Sequence, residues 1–227
     1  MKRILVVIMM FWNLLNGNAT APVDWANKAR YAQANKELIN QGKPVGIVMM
    51  GNSITEYWEE LHPQFFKGNG LVGRGISGQV SSQMLARFRE DVINLKPRVV
   101  VINCGTNDIA ENNGPYDEDI TMDNIMSMTE LAIANDITVV LSSVLPCDSF
   151  CWNPSVKDVT QKIHALNERI SAYAASRGLT YINYHDGMAT RNGALNPSYT
   201  EDGVHPNSTG YYVMEKILTG AIDGFLP

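Results

Sequence analysis

Cysteine is scarce. Three residues in 227 are too few to staple a small domain. No C-x-x-C or H-x-x-x-H spacing occurs, so the chain offers no ordinary zinc-ligand set, and neither metal nor cofactor is expected. Positive charge is in deficit, with 18 Lys and Arg against 23 Asp and Glu. With no basic cluster and no interleaved aromatic stripe, nucleic acid is not an expected partner. Long apolar runs are missing as well. The most apolar stretch, residues 4–15, is interrupted by Asn13 and falls short of the ~20 residues of a membrane span. Repeats, low-complexity tracts and linker-like segments are also absent, so nothing divides the chain.

What is there has a globular composition, 45% hydrophobic and 18% charged, in a length that suits one domain. Met1-Lys2-Arg3 gives a positive start, the apolar stretch follows, and Ala19-Thr20-Ala21 supplies small residues of the A-x-A type. This pattern predicts a signal peptide over 1–21 and a single domain over 22–227. No cysteine lies near Ala21, so a lipid anchor of the bacterial lipoprotein kind is not indicated. The expected location is outside the cytoplasm, periplasmic or secreted, with no stable membrane insertion once the signal is removed. In such an oxidising compartment Cys147 and Cys151 are as readily paired as free. Cys104, at the end of a buried strand, reads as a small core residue.

Helical and strand patterns then alternate. Residues 24–41 suit an opening helix. Residues 45–50 and 71–76 read as strands, and 80–95 as a helix, with Val80, Met84, Leu85, Phe88, Val92 and Leu95 at helical spacing. Arg98–Asn103 is nearly all β-branched without alternation, as befits a strand covered on both faces. A helix over 119–135, a strand over 138–144, a helix over 156–177, a short strand over 180–183 and a closing helix over 207–225 complete the series. Such alternation predicts one α/β domain, a parallel sheet sandwiched between helices in three layers. The site then belongs in the loops beyond the carboxyl ends of the strands. Gly51, Gly78 and Gly105 each follow a strand or its turn and point to that same edge.

The first of these loops carries a serine. The apolar run to Met50 stops at Gly51-Asn52-Ser53, which sets a hydroxyl at the rim of the sheet, where a nucleophile could be mounted. Read alone, it is an ordinary helix cap. A serine hydroxyl needs a base. His62 lies in a polar loop, His164 on a helix face, and His185 beside Asp186 after the last strand. His205 has Asp202 three residues before it, so one turn could place the carboxylate on one ring nitrogen and leave the other facing outward. Acyl transfer also needs fixed donors for a developing oxyanion. Gly78, in a Gly-rich turn opening a helix, and Asn107, after the most buried strand, could supply them, although both residue types are common in turns.

Gly51-Asn52-Ser53-Ile54, Gly78, Gly105-Thr106-Asn107-Asp108 and Asp202-Gly203-Val204-His205 resemble, in order, the four blocks of the SGNH (GDSL-like) hydrolase family, over about residues 45–210. The resemblance implies a flavodoxin-like fold with five parallel strands in the order 2-1-3-4-5. It implies Ser53 as nucleophile, His205 as base and Asp202 as the acid that orients it. The Ser53 and Gly78 N–H groups and the Asn107 side chain would form the oxyanion hole. The usual Asp before the serine is Asn52 here, and the usual Leu after it is Ile54.

The function expected is an exported esterase removing short acyl groups, acetyl foremost, from a small-molecule or glycan carrier. Members resembling this chain include carbohydrate O-acetylesterases and platelet-activating-factor acetylhydrolase-like proteins. Tyr57, Trp58 and Trp152 flank the expected site and could stack on a sugar face, although core packing is the fate expected of at least one. Two alternatives stand beside this. A lysophospholipase or thioesterase would need an apolar groove, to which Met188, Phe150 and Trp152 could contribute. A catalytically silent glycan-binding protein is invited only by Asn52.

Overall fold

Five short segments, most of their residues buried, each become a strand of one sheet. In this computed structural model, which describes residues 24–225, they are β1 (Ile47–Gly51), β2 (Leu71–Gly75), β3 (Val99–Ile102), β4 (Thr138–Ser142) and β5 (Thr180–Ile182). All pairings are parallel and the order is β2-β1-β3-β4-β5. That is the order the resemblance implied. The signal peptide expected over 1–21 lies outside the described residues. Among those described, no helix is long and apolar enough to cross a membrane.

Strand side chains alternate between faces, and this alternation builds two cores. Val48 and Met50 of β1, Val100 and Ile102 of β3, and Val139 and Leu141 of β4 point one way. They pack on α4 (Ser81–Asp91), α6 (Glu118–Ile133) and α7 (Val159–Arg177). Ile47, Met49, Val99, Val101, Val140 and Ile182 point the other way. They meet α2 (Ser53–Leu61), α3 (Pro63–Gly68), α8 (Tyr184–Met188) and α9 (Ser208–Ile222). Two further helices, α1 (Ala32–Gln41) and α5 (Thr106–Ile109), complete the α set among the described residues. The result is the three-layer α/β sandwich expected from the alternation.

Several boundaries differ from the sequence reading. The helix expected over 80–95 stops at Asp91, where Val92 leaves helical geometry, and a 3-10 turn covers Ile93–Leu95. The helix expected from 156 starts at Val159, because Asp158 is left-handed at φ 55°. The short helices α2, α3, α5 and α8 were not anticipated.

Two features of the fold position the site. Gly51 and Gly75 are paired across β1 and β2, and a Cβ on Gly75 would stand 2.2 Å from the Glu56 nitrogen. Only a glycine lets the first turn of α2 lie that close over the strand ends. Beneath that turn, the fully buried Arg87 guanidinium donates to Gln79 Oε1 (2.6 Å), Asp91 Oδ2 (2.8 Å), and the carbonyls of Gly51 (2.9 Å) and Arg74 (3.0 Å). One side chain thereby ties the end of β1 to the loop carrying Gly78.

Candidate active site

Ser53 is the first residue of α2, immediately beyond β1. Asn52 is the N-cap, and its side-chain oxygen accepts from the Ile54 N–H at 3.0 Å. An amide oxygen thus does the capping that a carboxylate would do, so the Asn at this position keeps the turn intact. Ser53 Oγ lies 2.9 Å from His205 Nε2, although 152 residues separate them. His205 Nδ1 lies 2.6 Å from Asp202 Oδ2.

The 200–206 turn is held by its own backbone. Asp202 Oδ1 accepts from the N–H groups of Val204 (2.9 Å) and His205 (2.8 Å), and Thr200 Oγ1 donates to the His205 carbonyl (2.7 Å). Partial burial works to raise the Asp202 carboxyl. The bonds from the His205 ring and from the His205 and Val204 N–H groups together outweigh it, and the net shift is downward. An ionised carboxylate is therefore favoured beside the ring.

Gly78 sits at φ +77°, in the left-handed region that glycine adopts freely. Among the described residues its N–H has no backbone acceptor. Asn107, almost fully buried at the start of α5, donates one side-chain hydrogen to the Gln79 carbonyl at 3.0 Å. An amide carries two. Asp108 accepts from the Ser81 N–H at 3.0 Å and so caps α4, which follows the Gly78 loop.

The three aromatic candidates separate. Tyr57 and Trp152 are partly exposed, with ring centroids 5.3 Å and 6.0 Å from that of His205. Trp58 is a correction: it is 1% exposed and offers no face to a ligand. Its ring stacks on Tyr211 and Phe65, and its N–H reaches Glu215 Oε1 at 3.3 Å. The reason is helical. Residues 53 and 57 share one face of α2, whereas 54 and 58 share the face turned to the core. Burying such a side chain contributes roughly 1.5–3 kcal/mol, so the indole belongs to the core.

Of the other histidines, His164 is exposed beside Glu168, and His185 pairs with Asp186. His62 forms a second Ser–His–carboxylate line, which the sequence reading missed. Its Nε2 is 2.8 Å from Ser208 Oγ and its Nδ1 is 2.5 Å from Glu215 Oε1. No local spacing announces this line, because its members are 146 and 153 residues apart. Cys147 and Cys151 are not joined; Cys147 is buried, its thiol pushed up to about 12 by that burial, and Cys151 is exposed. No group of three or more His, Cys, Asp or Glu suited to a metal occurs among the described residues.

Comparisons with known proteins identify the family. A model of the GDSL-like Lipase/Acylhydrolase family matches residues 49–213. A solved structure of a candidate acylhydrolase from Bacteroides fragilis NCTC 9343 is 56% identical, with a TM-score of 0.85 over 88% of this chain and 97% of the other. A GDSL-like lipase from Bacteroides thetaiotaomicron VPI-5482 is 54% identical, with a TM-score of 0.84 over 88% and 98%. An acetylxylan esterase from Xylanibacter ruminicola is 26% identical over 153 residues, 59% of this chain. The match spans only 30% of that curated relative's own length.

Proposed function

Because the chain belongs to the GDSL-like lipase/acylhydrolase family and is an ester-hydrolysing enzyme, we propose that it removes acetyl or other short acyl groups from carbohydrates outside the cytoplasm, through a Ser53–His205–Asp202 triad. The observation that carries this is the unbroken line Ser53 Oγ–His205 Nε2–His205 Nδ1–Asp202 Oδ2, with steps of 2.9 Å and 2.6 Å between residues. His205 takes the serine proton as Oγ attacks the acyl carbon, and Asp202 steadies the resulting imidazolium. The Ser53 and Gly78 N–H groups and the second Asn107 hydrogen receive the oxyanion. The proton then passes from His205 to the leaving alcohol. Water repeats the sequence on the acyl-enzyme and frees the acid.

Short acyl groups and a sugar carrier are supported by what surrounds the serine. Phe150 and Met188, two of the three residues that could have lined a lipid groove, are each 1% exposed and packed in the two cores. Tyr57 and Trp152 remain to meet a polar carrier with aromatic surface. The acetylxylan esterase likeness points the same way. Export rests on the pattern in residues 1–21.

The test is hydrolysis of p-nitrophenyl acetate and of acetylated xylo-oligosaccharides, with EDTA expected to leave the rate unchanged. Ser53→Ala should abolish turnover, and a fluorophosphonate should modify Ser53 and not Ser208. Activity that rises beyond octanoate would favour the lipid reading, and modification at Ser208 would move the nucleophile.

A further inference from the structure

A chain of hydrogen bonds outside the Ser53–His205–Asp202 line runs from the surface to the proposed oxyanion donors. Trp152 Nε1 lies 2.8 Å from Asn112 Oδ1. Asn112 Nδ2 lies 3.0 Å from Asn107 Oδ1 and 3.2 Å from the Gly78 carbonyl. Asn107 Nδ2 lies 3.0 Å from the Gln79 carbonyl.

Chemistry fixes the direction of this chain. An indole nitrogen only donates, so the Asn112 atom facing it must be the oxygen. The Asn112 NH2 group then faces two acceptors, the Gly78 carbonyl and Asn107 Oδ1. With its oxygen so engaged, Asn107 turns its NH2 toward the Gln79 carbonyl, which takes one hydrogen and leaves one over. That remaining N–H is the one ester cleavage requires. The Gln79 carbonyl, which can only accept, sets the same orientation from the NH2 side, so Asn112 is the second of two contacts that hold the Asn107 amide.

We propose that Asn112 is a positioning residue for ester cleavage. It holds Asn107 with its donor outward, pins the Gly78 peptide, and fixes Trp152 so that the indole face, not its N–H, meets the carrier of the ester. The inference rests on the proposed roles of Ser53, Gly78 and Asn107. Two observations separate it from an incidental turn contact. Asn112 is exposed, and its backbone is already anchored, the N–H donating to the Asn107 carbonyl at 3.1 Å. Its side chain is therefore not needed to hold its own backbone, and the buried group it satisfies is Asn107 Oδ1, on the amide proposed as a donor. Both ends of the chain of bonds also lie at the candidate site: Trp152 is beside His205, and Asn107 and Gly78 are the candidate donors.

The test compares Asn112→Asp, Asn112→Ala and Trp152→Phe with the unaltered enzyme on p-nitrophenyl acetate, with Ser53→Ala as the blank. Aspartate keeps an acceptor for the indole but places a second acceptor against Asn107 Oδ1. With the Gln79 carbonyl opposing a flip, this should push the Asn107 amide out of place and lower kcat by up to about 10²-fold, the scale of losing one oxyanion donor, with KM within about twofold. Alanine adds no charge and should still lower kcat by roughly fivefold or more. Leaving the buried Asn107 oxygen without its donor costs some stability, so the variants should melt no more than several degrees below the parent and remain folded in the assay. Trp152→Phe removes the N–H together with part of the aromatic face, so it should raise KM, but combined with Asn112→Asp it should add nothing to the loss in kcat. Ser53-dependent turnover with kcat unchanged in Asn112→Asp and Asn112→Ala overturns the positioning role alone, as does a change confined to KM. Turnover that survives Ser53→Ala overturns the nucleophile assignment and this inference with it.

Discussion

Asp202→Asn tests the proposed triad at its least replaceable atom. Two backbone N–H groups, those of Val204 and His205, point at Oδ1 from 2.9 Å and 2.8 Å. An incoming asparagine must keep its oxygen there, which leaves the NH2 group in the place of Oδ2, 2.6 Å from His205 Nδ1. Nδ1 can meet that group only as an acceptor, so the ring proton moves to Nε2, 2.9 Å from Ser53 Oγ. A protonated Nε2 cannot receive the serine proton. In Ser–His–Asp enzymes the wrong tautomer alone lowers kcat by ~10⁴, about 5 kcal/mol of barrier. The escape is to flip the amide, which forfeits two hydrogen bonds worth ~0.5–1.5 kcal/mol each and leaves two donors facing an NH2 group, ~2–6 kcal/mol in all. The expected loss therefore lies between ~30- and 10⁴-fold. Initial rates on p-nitrophenyl acetate would be measured with Ser53→Ala as the blank, and a melting curve would confirm an intact fold. Turnover within about tenfold of the parent would refute the claim that the 202–205 turn dictates the ring's tautomer.

Arg87→Met removes four buried hydrogen bonds and one partner of a buried ion pair, and should destabilise the protein in urea by about 3–5 kcal/mol. A change under about 1 kcal/mol would mean that Arg74, joined to Asp91 through Asn35, compensates fully. The Asp202 carboxyl is held below its ordinary value, so its contribution to stability is complete above the unfolded value of about 3.9 and is lost as pH falls through the lower folded value. The urea midpoints of the parent and Asp202→Ala should thus differ by a constant amount at neutral pH and converge only below about pH 4; convergence already near neutrality would contradict the direction of the shift. Thiol titration should find only Cys151 reactive in the native protein and three thiols after unfolding. A count of one after unfolding would reveal a Cys147–Cys151 bond.

The sheet was legible because a strand covered on both faces has no polar period, and Val99–Ile102 or Ile47–Met50 can satisfy no other environment at that length. Asp202 and His205 were legible because one turn contains their entire geometry. Helix α2 carries the helical pattern as well, Ile54, Tyr57, Trp58 and Leu61 at i, i+3, i+4 and i+7, but directly after a glycine and a serine the stretch was taken for a loop at the site. Trp58 was misplaced for the same reason: in a loop it would stand beside Tyr57, whereas on a helix adjacent residues point about 100° apart. The stop of α4 at Asp91 is tertiary, imposed where Val92 turns into the core. Asn112 carries little signal, because Asn107, five residues back, is its one near partner and the other two lie 34 and 40 residues away.

Spacing of Ser, His and carboxylate is weaker evidence than it looks, because this molecule contains it twice. Ser208, His62 and Glu215 match the distances of Ser53, His205 and Asp202. The difference is what else each line touches. His62 is 8% exposed, and the Glu215 oxygen it meets also accepts from the buried Trp58, so this line fastens α9 to the α2–α3 junction. Its serine begins α9 three residues after His205, so the bond from His62 also steadies the turn carrying that ring. Ser53 instead stands where β1 ends, beside loops that bring Gly78 and Asn107, the edge at which a parallel sheet exposes backbone and side-chain donors together. A nucleophile needs its base, and it also needs somewhere for negative charge to go. Of these two lines, the one through Ser53 stands at the sheet edge where the proposed donors Gly78 and Asn107 also lie, and that, more than the hydrogen-bond lengths, is why acyl transfer is proposed there.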